Sequence, residues 1–383
     1  MFTALHEQLQ NSMKRDIFFD ESAFARSVLL DMEPKVVQNC LSVQKGWSYR
    51  PESAYWKQSG SGNNWAFGFN EYGPHCRDEV LNILRREAER CDRLDSLMIL
   101  KSTAGGTGSG VGAYFSQETR DIFDVSLVSV EMWPFRSGEV CVQSYNTLLS
   151  LASSHETADL LIIFQNSDLS HLAQKRLAIK NPSFSALNEI AATHLTHQLL
   201  PGNLSATVAH LTACPFYKMS TVRFVPQTYS KHFATDHTSA LIKGLARMQQ
   251  TRSVIDLMSS KEAERNLVFA SQLCLKGLKS SDTSLTAFRT LRESVHYWNN
   301  SLDPLRLITS SDPFLGLQTS ASTLSVDQTC LAGMSDALFH ATDMFRSRAF
   351  VHQYEKFGIN DAAMLSCIHT VDELVRKYSD ATI

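Results

Sequence analysis

The sequence predicts an α/β fold, with a doubly wound parallel sheet first, then a second α/β unit and C-terminal helices. Two observations predict it. Short apolar runs typical of buried strands alternate with segments of helical periodicity through the first half of the chain. The length of 383 residues, 43% of them hydrophobic, is enough for two or three domains at about 150 residues each.

The first half contains the elements of the sheet in alternating order. The expected strands are residues 27–30, 97–100, 125–130 and 160–164. The expected helices, in which apolar residues recur at helical spacing, are residues 78–90, 111–123 and 143–153. A parallel strand order needs such crossover helices, so this alternation favours the doubly wound arrangement.

The second half is less regular. A long helix is expected from Phe184 to about Leu200, because proline and glycine follow at once and both are typical of a helix end. The other expected elements are a strand at 219–225, a Ser/Thr-rich stretch at 309–325 within the second α/β unit, and two helices at 334–354 and 361–378 joined at Phe357-Gly358.

Composition excludes several classes of protein. The formal net charge is -3, and no dense Lys/Arg cluster occurs, so we expect no direct binding of nucleic acid. The eight cysteines are spread singly with no CxxC pair, which argues against a zinc module and favours reduced thiols. No stretch approaches the roughly 18 apolar residues of a membrane span, so we expect an intracellular protein without membrane contact.

A glycine-rich loop between an expected strand and an expected helix is the most informative segment. It contains Gly105, Gly106, Thr107, Gly108, Ser109 and Gly110. Glycines let backbone amides approach an anion closely, and the helix N-terminus adds its dipole, so the segment predicts phosphate binding. A Walker loop is excluded, because no Gly-Lys-Ser/Thr follows.

The glycine loop by itself leaves three interpretations open: a mononucleotide site, a dinucleotide site and a tight turn. Residues 108–113 satisfy the permissive GxGxxA pattern, and Glu131 ends the next strand at about the spacing of a ribose-binding acid. A dinucleotide-dependent enzyme would need Glu131 at a ribose and a catalytic acid or base facing the cofactor.

Other polar segments accompany this loop in a fixed order. Two carboxylates follow a buried strand in VLLDMEPKV, and a second small-residue loop lies in KQSGSGNNWAFG. With AGGTGSGVGAYFSQ, WPFRSGEVCVQSYN and RAFVHQYEKFGI, these segments resemble the tubulin family, and most of all its delta-tubulin branch. The resemblance covers about residues 20–200 and 334–378.

The resemblance implies a site for GTP or GDP with Mg²⁺. The residues that would bind the phosphates are Gly105, Gly106, Thr107, Gly108, Ser109, Gly110, Ser61, Gly62 and Asn63. Asp31 and Glu33 would lie near the terminal phosphate and its Mg²⁺, which prefers oxygen ligands. Glu139 would bind the ribose, Asn166 and Asn188 would recognise guanine, and Phe184 would stack on the base.

The resemblance also implies a domain plan and a role. The expected domains are a GTP-binding domain at 1–182, a central bridging helix at 183–202, an intermediate domain at 203–333 and a helical region at 334–383. The implied role is that of a structural or regulatory component of centriole and basal-body microtubules, required for centriole assembly or maintenance and for cilium or flagellum formation. Its partners would be alpha- and beta-tubulin or specialised centriolar tubulins, in the cytoplasm, cytoskeleton, centriole, basal body and cilium, with the nucleus as a further site.

The chain departs from the family pattern at two places that bear on the nucleotide. It is expected to begin in the first helix, without the family's first strand and GQCGNQ-type loop. Residues 204–210 contain no carboxylate where alpha-tubulin-like chains present an acid that promotes hydrolysis. GTPase activity is therefore left open as weak, and a nucleotide-free, tubulin-derived interaction module is the main alternative.

Overall fold

The computed structural model describes residues 1–9, 13–43, 45–58, 60, 62–138, 140–200, 203–227, 238–256, 265–278 and 281–381. The chain divides into two units. The N-terminal unit contains Phe2–Asp159 and Gly333–Val375, and the central unit contains Leu160–Ala332 with the residues from Arg376 onward.

The N-terminal unit alternates strands and helices as expected. Its elements are α1 (Phe2–Leu9), β1 (Leu29–Asp31), α2 (Pro34–Leu41), β2 (Ala54–Trp56), α3 (Trp65–Phe67), α4 (Gly73–Glu89), β3 (Ser96–Ser102), α5 (Gly112–Ile122), β4 (Ser126–Trp133) and α6 (Gln143–Thr157). β1 pairs with β2 and β3 pairs with β4, both in parallel. Apolar side chains from α4 and α5, among them Val80 and Phe115, pack with Met32 and Tyr55 in one core.

The central unit is a mixed sheet with helices. Its elements are β5 (Leu160–Gln165), α7 (Asn166–Lys175), α8 (Phe184–Leu199), α9 (Leu204–Leu211), β6 (Met219–Val225), α10 (Thr238–Gln250), β7 (Val268–Lys276), α11 (Ser281–Ser294), β8 (Leu305–Ser310) and β9 (Ser320–Asp327). Its strands lie in the order β5-β6-β9-β7-β8. The pairs β5–β6 and β7–β8 are parallel, whereas β9 runs antiparallel to both of its neighbours.

The last part of the Ser/Thr-rich stretch forms β9, which is buried along its whole length. Several of its hydroxyls are bonded to neighbouring side chains: the two ring nitrogens of His197 lie 2.6 Å from Ser322 Oγ and 2.9 Å from Ser320 Oγ. Because buried polar groups need partners, this bonding explains how a polar sequence occupies the middle of a sheet.

The C-terminal segment contains three helices where two were expected. They are α12 (Leu331–Arg346), α13 (Val351–Glu355) and α14 (Asp361–Asp380). The expected helix over 334–354 is wrong because α12 ends in a Schellman arrangement, in which Ala349 N donates to Met344 O at 2.9 Å and Arg348 N to Phe345 O at 3.0 Å. Arg348 adopts the left-handed conformation with φ 58°. The expected junction at Phe357-Gly358 is confirmed, with Gly358 at φ 86°.

The predicted α/β class is confirmed, and the strands and helices of the first half lie close to their expected positions. The expected strand at 27–30 is shifted, since β1 begins at Leu29 and includes Asp31. The domain boundaries at 182, 202 and 333 stay a prediction. Within the described residues, no helix is long and apolar enough to cross a membrane.

Candidate functional site

The glycine loop, residues 105–110, lies between β3 and α5 as predicted. A π-helical turn over Thr107–Val111 leads directly into α5, and the amides of Gly110 and Val111 donate to Gly106 O at 2.9 and 3.3 Å. The first N–H groups of a helical segment have no partner within the helix and carry partial positive charge. This geometry is suited to binding an anion.

The glycines of this loop differ in how much space the fold leaves for a side chain. A Cβ on Gly108 would lie 2.5 Å from Ser102 O, and one on Gly110 would lie 2.2 Å from Trp65 O. Backbone packing therefore requires glycine at both positions. At Gly105 the nearest atom to such a Cβ is Asn63 Oδ1 at 3.5 Å, an ordinary contact. Gly105 is thus the position where the fold leaves space above the backbone.

Asn146 connects the small-residue loop, residues 60–63, with Ala104, which directly precedes the glycine loop. This buried side chain on α6 donates from Nδ2 to Asn63 O at 2.8 Å and to Ala104 O at 2.7 Å. Its Oδ1 accepts from Trp65 N at 2.9 Å. Gly62 and Asn63 have φ values of 57° and 51°, so the small-residue loop turns through left-handed backbone.

The acidic pair lies beside the glycine loop. Asp31 ends β1, and its carboxylate accepts hydrogen bonds from the Thr107 side chain and from the backbone of Met32 and Glu33. Burial raises the pKa of Asp31 above its usual range, and those hydrogen bonds oppose the rise. The structure therefore brings Asp31 and Thr107 together. Their expected roles at the phosphates and Mg²⁺ stay a prediction.

Glu33 lies two residues further on, exposed at the start of α2. Carboxylate and hydroxyl oxygens are ligands that suit Mg²⁺, so the donors present fit this ion. Among the described residues, no cluster of three or more His, Cys, Asp and Glu side chains could bind a metal. Because Mg²⁺ is typically bound by one or two carboxylates together with substrate phosphates and water, this small donor set is compatible with it.

Glu131 is not available for a dinucleotide ribose. Its side chain is fully buried on β4 and lies 3.6 Å from Lys101 Nζ. It also accepts hydrogen bonds from Ser129 Oγ at 3.2 Å and Trp133 Nε1 at 3.1 Å. Lys101 also donates to Ser154 Oγ at 2.8 Å. A carboxylate so enclosed stabilises the fold, and the dinucleotide interpretation loses its ribose-binding acid.

The expected base-side residues lie in the central unit. Asn166 is the first residue of α7, directly after β5. Phe184 is the first residue of α8 and is 59% exposed, although it is a large apolar side chain. Asn188, four residues later, is also exposed and on the same face of the helix. Ser183 caps α8 by accepting from Ala186 N at 3.3 Å.

Two expected site residues, Ser61 and Glu139, lie outside the described residues. Two residues that the sequence did not indicate connect the loops: Asn146 and Tyr354. The Tyr354 hydroxyl donates to Asn146 Oδ1 at 2.7 Å. Both lie within or near segments quoted for the resemblance, but only the buried position of Asn146 on α6 reveals its contacts. A polar residue on the buried face of an amphipathic helix was the signal that could have found it.

Comparison with known proteins agrees with this geometry. The family model described as "Tubulin/FtsZ family, GTPase domain" matches residues 1–174. The dog tubulin delta chain is 30% identical over 97% of this chain and 91% of that protein. The mouse tubulin delta chain is 30% identical over 97% and 90%, and the human one is 29% identical over 97% and 91%.

The chain belongs to the tubulin family. The resemblance inferred from the sequence segments is thereby confirmed, including the similarity to delta-tubulin. Family membership supports guanine-nucleotide binding, association with other tubulins and a cytoskeletal setting for this chain.

Proposed function

We propose that this chain is a delta-tubulin-like, GTP-binding component of centriole and basal-body microtubules, with a structural or regulatory role in building or maintaining them and in forming cilia. The observation that carries the proposal is the similarity to tubulin delta chains over 97% of the sequence. Its proposed partners are alpha- and beta-tubulin or specialised centriolar tubulins, and its proposed sites are the centriole, basal body and cilium.

The nucleotide site is proposed with the roles expected from the sequence. Backbone amides of the glycine loop would bind the phosphates, since Gly105 leaves space above the backbone and α5 begins directly behind it. Gly62 and Asn63 would bind them from the small-residue loop. Asn166 and Asn188 would recognise guanine and Phe184 would stack on it, because an exposed aromatic ring at a helix start is available to a base.

Mg²⁺ would be bound by Asp31 and Glu33 together with phosphate oxygens, and when bound it would neutralise part of the phosphate charge. Asp31 is partly desolvated, which strengthens its electrostatic interaction with a cation. Thr107 donates to the same carboxylate. A change at the terminal phosphate would therefore reach the glycine loop through the Asp31–Thr107 hydrogen bond.

We propose that the nucleotide acts mainly as a structural switch. The segment where an acid would promote hydrolysis on a neighbouring subunit forms α9, and its polar side chains make internal contacts: Thr207 Oγ1 donates to Gln272 Oε1 at 2.9 Å, and His210 Nε2 lies 3.1 Å from Ser271 O. Neither is a carboxylate. The nucleotide would order the loops that surround it and so set the geometry of a contact with another tubulin.

Localisation tests the centriolar role. The chain is expressed with a fluorescent tag in dividing, ciliated cells, beside a centriole marker and a general microtubule stain. We expect enrichment at centrioles and basal bodies. A matched variant, Gly110→Ala, disrupts the glycine loop and should lose this enrichment. An even distribution along all microtubules, or a diffuse signal for the parent chain, would contradict the proposed role.

A further inference from the structure

The side chain of Asn146 makes four hydrogen bonds to residues outside its own helix. It lies on α6 with no exposed surface, and its amide reaches three separate segments of the N-terminal unit. The partners are Asn63 O, Ala104 O, Trp65 N and Tyr354 Oη, at distances of 2.7 to 2.9 Å. An asparagine amide supplies two donor hydrogens and an acceptor with two lone pairs, so this set uses its whole hydrogen-bonding capacity.

These bonds fix the orientation of two peptide units. The carbonyls of Asn63 and Ala104 both point at the buried amide nitrogen of Asn146. Because a trans peptide is planar, the N–H group of the following residue points in the opposite direction. The N–H groups of Asn64 and Gly105 are therefore directed away from α6, and no carbonyl of these two units is presented to an anion.

Tyr354 fixes the amide in turn. Its hydroxyl donates to Asn146 Oδ1, and its ring packs edge-on against Tyr145 with centroids 5.1 Å apart. Asn64 Nδ2 donates to Gln353 O at 3.1 Å, beside the same tyrosine. Residues 353–354 thus support the orientation of Asn146 and of the small-residue loop.

We propose that Asn146 is a positioning residue of the nucleotide site, which turns the peptide units after Asn63 and Ala104 so that their N–H groups face the phosphates. The inference rests on the proposed nucleotide binding. Asn146 does not contact the nucleotide; it acts through the two loops. Tyr354 acts on the two loops indirectly, because its hydrogen bond to Asn146 Oδ1 helps to hold the orientation of the Asn146 amide.

The test compares three variants of the full chain for GTP affinity and for melting temperature. Asn146→Asp retains the acceptors but places a carboxylate against two carbonyl oxygens. Tyr354→Phe removes one hydrogen bond and leaves the donors of Asn146 in place. Ser154→Ala is the matched control, since it removes a buried hydrogen bond of the same helix, to Lys101, that touches neither loop.

We expect Asn146→Asp to weaken GTP binding by about ten-fold or more and Tyr354→Phe by about three-fold. Ser154→Ala should lower the melting temperature while GTP affinity stays within about two-fold of the parent. If Asn146→Asp does not fold, the comparison of GTP affinity between Tyr354→Phe and Ser154→Ala tests the positioning role. The protection from amide hydrogen exchange that bound GTP gives to Asn64 and Gly105 should be smaller in the Asn146 and Tyr354 variants and unchanged in the control.

Unchanged GTP affinity in Asn146→Asp and Tyr354→Phe, in a parent chain that binds GTP, would overturn this inference and leave the proposed function standing. Equal losses of affinity in Tyr354→Phe and Ser154→Ala would also overturn it, because the effect would then follow stability alone. A folded parent chain that binds no guanine nucleotide would contradict the proposed function, and the inference with it.

Discussion

The glycine loop and the small-residue loop of the N-terminal unit are packed differently from Phe184 and Asn188 of the central unit, the residues proposed to contact the base. The glycine loop is packed so closely that Gly108 and Gly110 have no space for a methyl group. The Asn146 amide bonds Asn63 O of the small-residue loop and the carbonyl of Ala104, directly before the glycine loop. Phe184 and Asn188, in contrast, are exposed at the start of α8. We therefore expect changes at the two loops to affect folding and nucleotide binding together, and changes at Phe184 or Asn188 to affect nucleotide binding alone.

The same helix that carries Phe184 and Asn188 has a second, buried face. His194 stacks on Phe224 with ring centroids 5.2 Å apart, and His197 is bonded to two serines of β9. Burial lowers the pKa of His194 to about 4 and that of His197 well below its usual range. The central unit is therefore stabilised by neutral histidines on one face of α8, independently of the exposed face.

The largest expected effect is a loss of stability in acid. A histidine whose folded-state pKa is lowered stabilises fully above its unfolded pKa of about 6.5, and this contribution is lost as the pH falls towards about 4. For His194 the loss is about 3 kcal/mol, and His197 adds to it. Urea unfolding at a series of pH values measures this slope.

The matched variants for this slope are His194→Phe and His369→Gln. Replacing His194 should make the free energy of unfolding depend less on pH between pH 6.5 and 4, because phenylalanine takes up no proton when the chain unfolds. His369 is exposed, so its replacement should leave the slope as it is. A slope that persists in His194→Phe and in a second variant, His197→Phe, would contradict the account of this face.

Next in size is the difference between two glycines of one loop. Gly110→Ala forces a Cβ to within 2.2 Å of a backbone oxygen, so we expect it to destabilise the chain by about 2 kcal/mol or more and to abolish nucleotide binding. Gly105→Ala meets only ordinary contacts and should retain stability. Thermal unfolding and nucleotide content are measured on both variants. Equal stability losses would show that the close packing does not distinguish the two positions.

A smaller effect is expected on the base side. Phe184→Ala should weaken nucleotide binding by about ten-fold, since stacking on an aromatic ring contributes roughly 1–3 kcal/mol per base. Its melting temperature should stay close to that of the parent, because the ring is 59% exposed. Phe339→Ala, at an exposed phenylalanine of α12, is the control and should change neither quantity. An equal affinity for nucleotide in both variants would exclude Phe184 from the site.

The smallest effect on stability is expected from Asp31→Asn. This change should not lower the free energy of unfolding, although it should weaken the effect of Mg²⁺ on nucleotide binding. Because burial raises the pKa of this carboxyl, its charged form costs folding free energy near neutral pH. Asp31→Asn should therefore leave the unfolding free energy unchanged or slightly higher, while the gain in affinity produced by Mg²⁺ falls several-fold. Titrations of the parent chain and the variant with GTP, with and without Mg²⁺, measure this gain in affinity. A clear loss of stability with an unaltered Mg²⁺ effect would make Asp31 a structural residue.

Local patterns were enough to predict much of the fold. Apolar runs predicted β3 to β5 within a few residues, and the strand–glycine–helix order predicted the phosphate loop, because these features depend on neighbouring residues. β9 was not recognised as a strand, since its serines are buried only through contacts with α8 and the strands beside it. The break at Arg348 was missed because a left-handed helix end usually needs glycine.

The candidate site divides in the same way. The glycine loop was predicted from its place between a strand and a helix, whereas the role of Asp31 came only from the family resemblance. The hydrogen bond between Asp31 and Thr107 was not predicted. Asn146 was missed, because its contacts involve four atoms from segments far apart in sequence. Its one local signal was a polar residue on the buried face of an amphipathic helix. Glu131 was a plausible ribose ligand by spacing, and only its burial with Lys101 removes it.

The most direct test of the account is the nucleotide that the purified chain carries. The protein is purified without added nucleotide, denatured, and the released nucleotide is identified and quantified by chromatography, with Gly110→Ala and Gly105→Ala prepared in parallel. We expect near-stoichiometric GTP or GDP from the parent chain and none from Gly110→Ala. Gly105→Ala should stay folded but carry less nucleotide, because its Cβ would occupy the space that the fold leaves above Gly105. A folded parent chain that releases no guanine nucleotide, or that carries an adenine dinucleotide, would contradict it.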